Sequence, residues 1–237
     1  MDASLIIAAA VVCVAATVQG LTGTGFGLTA VPPLIVVAPQ LVPDTVLLLT
    51  VAVTGYAAWV ERHWADRRFV KSCVTAAIPG TAAGYAATTL LPERALTIGI
   101  ALAVVAAGCI GLGGARLRTT VGNPWAAGFA AGAFNWAAAL PGPPLALAYQ
   151  HAEGAVFRAT LSRTFLYLTL ATLAVRYGSG QADAGAAARA IALLGAVLVG
   201  VVLARPLTTR LPSHHVSRAA LVLSTAAGVV LLVRALS

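Results

Sequence analysis

Charged residues are scarce in this chain of 237 residues, of which only 9% are Asp, Glu, Lys or Arg. A soluble globular domain carries about 25% charged residues. Hydrophobic residues make up 59% of the chain, more than the interior of a soluble fold of this size can bury. The scarcity of charge therefore excludes a soluble protein and indicates an integral membrane protein embedded in a lipid bilayer.

Cysteine is also scarce, and its placement is uninformative for chemistry. Cys13, Cys73 and Cys109 lie far apart within apolar runs, without CxxC or histidine spacing. This pattern predicts neither a disulfide nor a metal site. The sequence also lacks a Gly-x-Ser-x-Gly motif, paired aspartates at membrane depth and an ATP-binding motif. We therefore predict no enzyme activity and no cofactor.

Acidic residues number 7 against 15 basic ones, which gives a net charge of +8. Most of the basic residues lie between the apolar segments. The positive-inside rule accounts for this distribution, so the charge excess does not indicate a nucleic-acid partner.

Long apolar segments separated by short loops fill the chain. A transmembrane helix needs about 20 mostly apolar residues, and two of the segments are too short for that. We predict an all-α integral membrane protein with about eight transmembrane helices and two short broken or re-entrant helices, in a single membrane domain over 1–237. The long segments are 4–20, 43–60, 72–91, 95–115, 124–139, 157–176, 184–204 and 216–235, and the short ones are 26–39 and 143–152.

A weak internal repeat divides the chain into 1–120 and 121–237. Pro32-Pro33-Leu34 recurs as Pro143-Pro144-Leu145, and the pattern Thr-Thr-x-Leu-Pro at 88–92 recurs at 208–212. The loop 61–71 is more basic than 92–95 in the first half, whereas in the second half 205–218 is more basic than 176–189. Equivalent loops therefore face opposite sides of the membrane, which predicts inverted repeats.

The inverted repeats require an odd number of segments in each half. Ten segments satisfy this, place both termini outside and leave Arg116, Arg118 and Arg158 on the cytoplasmic side. The competing count of eight plain helices leaves the basic loop 205–218 outside. We predict a multi-pass protein of the cell (inner or plasma) membrane, and the sequence is compatible with a homodimer.

A glycine-rich break interrupts the first apolar region at residues 19–27. Such a break frees backbone N–H and C=O groups, which are costly in hydrocarbon unless they line a cavity. Unwound chain at membrane depth is therefore a candidate binding site. The alternative is close helix packing, which we prefer for Gly80 and Gly84. The binding residues predicted in the break are Gln19, Thr22, Gly23, Thr24, Gly25 and Gly27.

A second break, at residues 135–144, occupies the corresponding place in the second half, where three prolines stop a regular helix. The short helices that follow the two breaks would begin with unpaired N–H groups, and such helix ends suit an anion. The binding residues predicted in this break are Asn135, Trp136, Pro141, Gly142 and Pro143.

Few other polar side chains lie within the predicted spans. Arg163, a candidate binding residue, would either pair with an anionic solute or extend to the cytoplasmic surface. Thr50 and Thr54, also candidates, would either face the cavity or bond to their own helix backbone. Asp44 stands at a helix start and is predicted to cap that helix, the alternative being a role in ion coupling.

At this point the sequence resembles the sulfite exporter TauE/SafE family, also described as toluene-sulfonate uptake permeases. The resemblance rests on the break 19–27 leading into Val31-Pro32-Pro33-Leu34, the basic loop after the next helix, and Gly142-Pro143-Pro144-Leu145 followed by Phe157-Arg158-Ala159-Thr160-Leu161. It extends over nearly the whole chain. The resemblance implies a duplicated transporter for sulfite, sulfonates, sulfoacetate or related organosulfur anions.

We therefore predict a secondary carrier that moves a small sulfur-containing anion by alternating access at a midplane site between two repeats. The alternatives are a passive anion channel and a carrier of a solute without sulfur. Acidic residues in the spans are too few for a dedicated carboxylate relay, so protons would couple through protonation of the anion itself.

Overall fold

The computed structural model describes residues 3–112, 123–149, 152, 154–210 and 213–236. These residues form ten α-helices and one 3-10 turn at Pro39–Leu41, without a strand, which confirms the all-α prediction. The helices are α1 (Ala3–Thr22), α2 (Phe26–Val37), α3 (Asp44–Val60), α4 (Arg67–Leu90), α5 (Glu93–Leu112), α6 (Pro124–Ala138), α7 (Gly142–Ala148), α8 (Gly154–Gly178), α9 (Ala186–Arg210) and α10 (Ser213–Leu236).

The ten helices coincide with the ten predicted segments apart from their ends. The largest differences are at α9, which ends at Arg210 rather than at residue 204, and at α4, which begins at Arg67 rather than at residue 72. The Asp66 carboxylate accepts hydrogen bonds from the backbone N–H groups of Arg68 (2.9 Å) and Phe69 (3.1 Å). This cap extends the helix into a charged stretch that hydropathy alone excludes, because it satisfies N–H groups that have no partner within the helix.

Three helices of the described part are long and apolar enough to cross a membrane, over Ser4–Thr22, Glu93–Ile110 and Ala186–Ala204. The helices Phe26–Val37 and Asp44–Val60 are apolar but shorter. Many outward-facing side chains are large and apolar, as lipid contact requires, and Ile78 and Ile191 are 67% and 73% exposed. The number of complete crossings stays a prediction.

Glycine allows α4 and α6 to pack closely. A Cβ added at Gly80 would collide with the backbone of Phe129, and one added at Gly84 would collide with the backbone of Ala133. From the other side, Gly128 lies against the backbone of Cys73. These contacts confirm the packing interpretation of Gly80 and Gly84 and show why small residues are needed at this interface.

Each half of the chain completes its core with a helix from the other half. One core lies between α1, α2, α3 and α9, and a second lies between α4, α6, α7 and α8. Helix α1 packs on α9 as α6 packs on α4, while α3 packs on α8 and α5 on α10. If α1–α5 are renumbered as α6–α10 and the reverse, most pairs of packed helices become pairs that also pack in the structure.

The matching prolines do not occupy equivalent places in the two short helices. Pro32 and Pro33 lie in the interior of α2, whereas Pro143 and Pro144 lie in the first turn of α7. The Thr-Thr-x-Leu-Pro pattern behaves differently, since its threonines lie in the last turns of α4 and α9. Helix order is thus a better guide to the correspondence than the proline match.

The helix bundle has two ends of different charge. The basic end brings together the end of α3 and the starts of α4 and α8, with Arg62, Arg67, Arg68, Lys71, Arg158 and Arg163. The opposite end brings together the start of α3 and the end of α8, with Arg94, Arg176, Arg189 and Arg234. Arg116 and Arg118, predicted to be cytoplasmic, lie outside the described residues.

Candidate functional site

The first break is a tight turn between α1 and α2. Gly23 and Gly25 have positive φ angles of 77° and 106°, a conformation that other residues rarely adopt. The buried Gln19 amide bridges the turn, because Nε2 donates to the carbonyl of Gly23 (2.9 Å) and Oε1 accepts from the N–H of Phe26 (3.0 Å). Gln19 therefore satisfies backbone groups that the break frees.

Thr22 completes the turn. Its hydroxyl lies 2.9 Å from the carbonyl of Val18 and 2.5 Å from the carbonyl of Thr24, and it accepts from the N–H of Thr24 (3.3 Å). The side chains of the break thus hold the unwound segment in one conformation.

The second break lies against the first. Helix α6 ends at Ala138, and Ala139 has a positive φ of 55°. A Cβ added at Gly27 would collide with the carbonyl oxygen of Ala139, and one added at Gly142 would lie 3.5 Å from the Thr24 hydroxyl. The structure therefore brings together Thr24 and Gly27 of the first break with Gly142 of the second, at the crossing of the short helices.

A cavity of about 310 Å³ lies beside the first break, on the side of the basic end. Its wall on α3 runs from Val53, near the middle of that helix, to Glu61 at its end, a depth of about 10 Å. The volume suits a small solute. The lining residues are Gln19, Gly20, Gly23, Val53, Tyr56, Ala57, Val60, Glu61, Arg158, Ser162, Val201 and Ala204.

Arg158 and Glu61 form an ion pair in the cavity wall. The Glu61 Oε1 atom accepts hydrogen bonds from Nε (3.0 Å) and NH2 (2.5 Å) of Arg158. Both side chains remain partly exposed, at 32% and 21% for Arg158 and Glu61. The cavity therefore has one basic and one acidic group within reach of solvent.

The other predicted site residues are engaged within the protein. The hydroxyls of Thr50 and Thr54 donate to carbonyls one turn earlier in α3, those of Val46 (2.8 Å) and Thr50 (2.7 Å). Arg163 lies at the basic end, where NH1 is 3.4 Å from the carbonyl oxygen of Arg62. Thr50 and Thr54 therefore bond to their own helix backbone, and Arg163 extends to the basic end, as the alternatives to a binding role predicted. None of the three residues lines the cavity.

Asn135 and Trp136 lie away from the first break's cavity, near the opposite end. The Asn135 amide donates to the Thr172 hydroxyl (2.9 Å), and the Trp136 indole donates to the Thr88 hydroxyl (3.0 Å). Pro143 contacts an apolar cavity between α5, α6 and α7, and Pro141 precedes the first residue of α7. A role for these residues in binding stays a prediction.

The opposite end is held by a buried ion pair. Both nitrogens Nε and NH2 of Arg176 donate to the Asp44 carboxylate, which also accepts from the N–H of Asp183 (3.0 Å). The Arg176 guanidinium lies 4.8 Å from the ring centre of Trp136. The predicted capping role of Asp44 is wrong, because Pro43 holds the N-cap position and the Asp44 carboxylate pairs with Arg176 of α8 and accepts from the N–H of Asp183.

Glu61, Arg158 and Ser162 line one cavity, which was not predicted from the sequence. A signal was present, since Arg158 and Ser162 are four residues apart and share one face of α8. The partner of Arg158 comes from a distant part of the chain, and no spacing rule reveals such a contact.

Comparison with known proteins agrees with this architecture. A family model described as Sulfite exporter TauE/SafE matches residues 7–231. No curated protein and no solved structure matches the chain. Because the match extends over nearly the whole sequence, the resemblance to this family is confirmed. The chain therefore belongs to the sulfite exporter TauE/SafE family of membrane transport proteins.

Proposed function

We propose that the protein is a secondary carrier that moves a small sulfur-containing anion, sulfite, a sulfonate or a related organosulfur compound, by alternating access. The observation that carries the proposal is the cavity beside the first break, which reaches the middle of α3 from the basic end. At the opposite end of the same helix, Asp44 and Arg176 are buried and paired. A cavity that opens at one end combined with a buried ion pair at the other is expected of one state of a carrier.

The packing of the helices supports two inverted repeats, 1–120 and 121–237. The two cores exchange when the halves are exchanged, and the breaks after α1 and α6 both use a residue with positive φ. In the pairs α3–α8 and α5–α10, each helix packs on its own counterpart from the other half. A solute site between such repeats lies near the membrane midplane, and rocking of one repeat against the other would expose it to each side in turn.

The distribution of charge orients the carrier. Lys and Arg cluster at the basic end, so that end faces the cytoplasm of a cell (inner or plasma) membrane and the cavity opens inward. The two termini then face outward. The carrier would be a multi-pass protein, compatible with assembly as a homodimer.

An anion suits the cavity better than a cation. The wall offers the Arg158 guanidinium, which lies beside Gln19 and Gly23 of the first break. The two acidic residues of α3, Asp44 and Glu61, are both paired with arginine. If protons drive transport, the proton would travel on the anion itself, so no unpaired carboxylate of the protein is needed to carry it.

Counterflow in proteoliposomes tests the proposal. Vesicles holding the purified protein are loaded with unlabelled sulfite or sulfoacetate, and entry of a trace of the same anion in labelled form is followed. A carrier accumulates label transiently above its outside concentration, because it exchanges one anion for another. Equilibration without overshoot would indicate a channel, and counterflow only with a solute lacking sulfur would overturn the substrate assignment.

A further inference from the structure

We propose that Arg158 and Ser162 bind the oxygens of the transported anion, and that Glu61 forms an ion pair with Arg158 while the carrier is empty. This inference rests on the proposed function and names the binding groups of its cavity. The substrate would be a small oxyanion such as a sulfonate or sulfite, held by the guanidinium and by the serine hydroxyl.

The two side chains lie on one face of α8. They are one helical turn apart, and both line the cavity together with Gln19 and Gly23 of the first break. Arg158 stands nearer to the basic end, and Ser162 lies one turn deeper. An anion that enters from the basic end would therefore meet the guanidinium first and the hydroxyl next.

Ser162 is a buried polar group that lacks a partner. Its residue is 0% exposed, and its hydroxyl oxygen has no hydrogen-bond partner among the described residues. A buried hydroxyl without a hydrogen bond destabilises the folded protein, because it has lost its bond to water. Thr160 and Thr164, the neighbouring polar residues of α8, both have hydrogen bonds. A ligand oxygen in the cavity would supply the bond that Ser162 lacks.

The first break fixes the position of Arg158. A Cβ added at Gly23 would come within 2.5 Å of Cγ, 2.6 Å of Cα and 2.7 Å of Cβ of Arg158. Only glycine fits between the unwound chain and the arginine stem, and Gly23 also needs its positive φ of 77°. The break therefore holds the stem of the guanidinium at the cavity wall, as binding of a ligand by preorganised groups requires.

Glu61 has the chemistry of a substrate substitute. Its carboxylate accepts two hydrogen bonds from the guanidinium fork, and a sulfonate or sulfite oxygen would accept the same bonds. Glu61 follows the last residue of α3 at the basic end, and its side chain is partly exposed to solvent in the ion pair. An arriving anion can thus replace the carboxylate without leaving Arg158 unpaired.

Binding titrations on the purified full-length protein test the inference. Thermal unfolding midpoints in detergent are measured against rising sulfite and sulfoacetate, with sodium chloride at equal ionic strength as the reference. A ligand of the folded state raises the midpoint with its concentration, which yields an apparent Kd. The variants are Arg158→Gln, Ser162→Ala and Glu61→Gln, and Arg163→Gln is the matched control on the same helix.

We expect Arg158→Gln to weaken binding at least about thirtyfold, since a charged partner is lost. Ser162→Ala should weaken binding about tenfold and leave the midpoint without ligand unchanged or higher, because its hydroxyl has no bond to lose. Glu61→Gln should tighten binding about threefold to fivefold by removing the competing carboxylate. Arg163→Gln should bind as the wild type does.

The outcomes separate this inference from the proposed function. If sulfur anions stabilise the wild type, Arg158→Gln and Ser162→Ala alike, the anion binds elsewhere and the inference is overturned while the carrier proposal stands. A lower ligand-free midpoint for Ser162→Ala with unchanged Kd would assign the serine a structural role and also overturn it. Absence of stabilisation of the wild type by either sulfur anion would overturn both proposals.

Discussion

The two ends of the α3–α8 helix pair carry ion pairs that differ in exposure. At the basic end, the Arg158 and Glu61 side chains are 32% and 21% exposed, and at the opposite end those of Arg176 and Asp44 are 11% and 6% exposed. A solvent-exposed pair contributes about 0–1 kcal/mol, whereas removal of one partner of a buried pair costs about 3–5 kcal/mol. The same two helices are therefore held weakly at one end and strongly at the other.

The signs of the charges follow the helices. Helix α3 contributes the acidic residue of both pairs, with Glu61 immediately after its end, and helix α8 contributes both arginines. If the two halves are exchanged, each pair takes the place of the other with acid and base reversed. Under the proposed alternating access, we expect the basic end to open while the opposite end stays paired, since the two ion pairs are separate in space and differ in exposure.

The largest expected effect comes from breaking the buried pair. Asp44→Asn should destabilise the protein by about 3–5 kcal/mol, because the Arg176 guanidinium then remains buried without its counter-charge. Unfolding by heat or denaturant in detergent measures the loss. Glu61→Gln is the control at the exposed end, with a cost of about 0–1 kcal/mol. Equal losses for the two variants would contradict the comparison.

Replacement of both members of the buried pair sharpens the comparison. Asp44→Leu combined with Arg176→Met should cost less than Asp44→Asn alone, since apolar residues of similar volume often substitute for a buried ion pair. The N–H of Asp183 would lose its acceptor, so some cost remains. A double-variant cycle on the unfolding free energy measures the coupling of the two residues, and a coupling near zero would mean that the pair does not hold this end.

A smaller effect is expected at the first break. Gly23→Ala should destabilise by about 1–3 kcal/mol, because alanine is strained at this positive φ and its Cβ collides with Arg158. It should also weaken anion binding by displacing the guanidinium. Gly195→Ala is the matched control, since a Cβ at that helical position meets nothing within 4 Å and should change stability little. Unfolding midpoints with and without sulfoacetate measure both effects, and an unchanged Kd for Gly23→Ala would separate the break from the cavity.

Hydropathy predicted the ten helices, and turn chemistry predicted the two breaks, because both depend on neighbouring residues in the chain. The α4–α6 contact was also predictable from the spacing of Gly80 and Gly84. The pairing of Asp44 with Arg176 was not, since the two residues are 132 positions apart and meet only through the packing of α3 on α8. Because that partner is distant in sequence, the neighbours of Asp44 indicated only a helix cap.

The sequence was least informative about which polar residues share a cavity. Gln19 and Asn135 each begin a break and stand about one turn before the end of a helix, yet Gln19 lines the cavity and Asn135 lies near the opposite end. In an inverted arrangement, equivalent residues of two halves face opposite ends of the molecule. Equivalence in sequence therefore predicts equivalent local structure but not a shared site.

The smallest expected effect is at Asp183, in the exposed loop of the opposite end. The N–H of Gly185 donates to its carboxylate and Arg189 pairs with it, and these contacts hold the pKa of Asp183 below its usual range. A lowered folded-state pKa gives stability that is present above the unfolded pKa of about 3.9 and is lost as the pH falls through the folded value. Asp183→Asn should therefore lower the unfolding midpoint slightly at pH 7, and the difference from the wild type should shrink as the pH falls through the folded-state pKa of Asp183. Its backbone N–H still donates to Asp44, so a loss as large as that of Asp44→Asn would show that the loop, rather than the buried pair, holds this end closed.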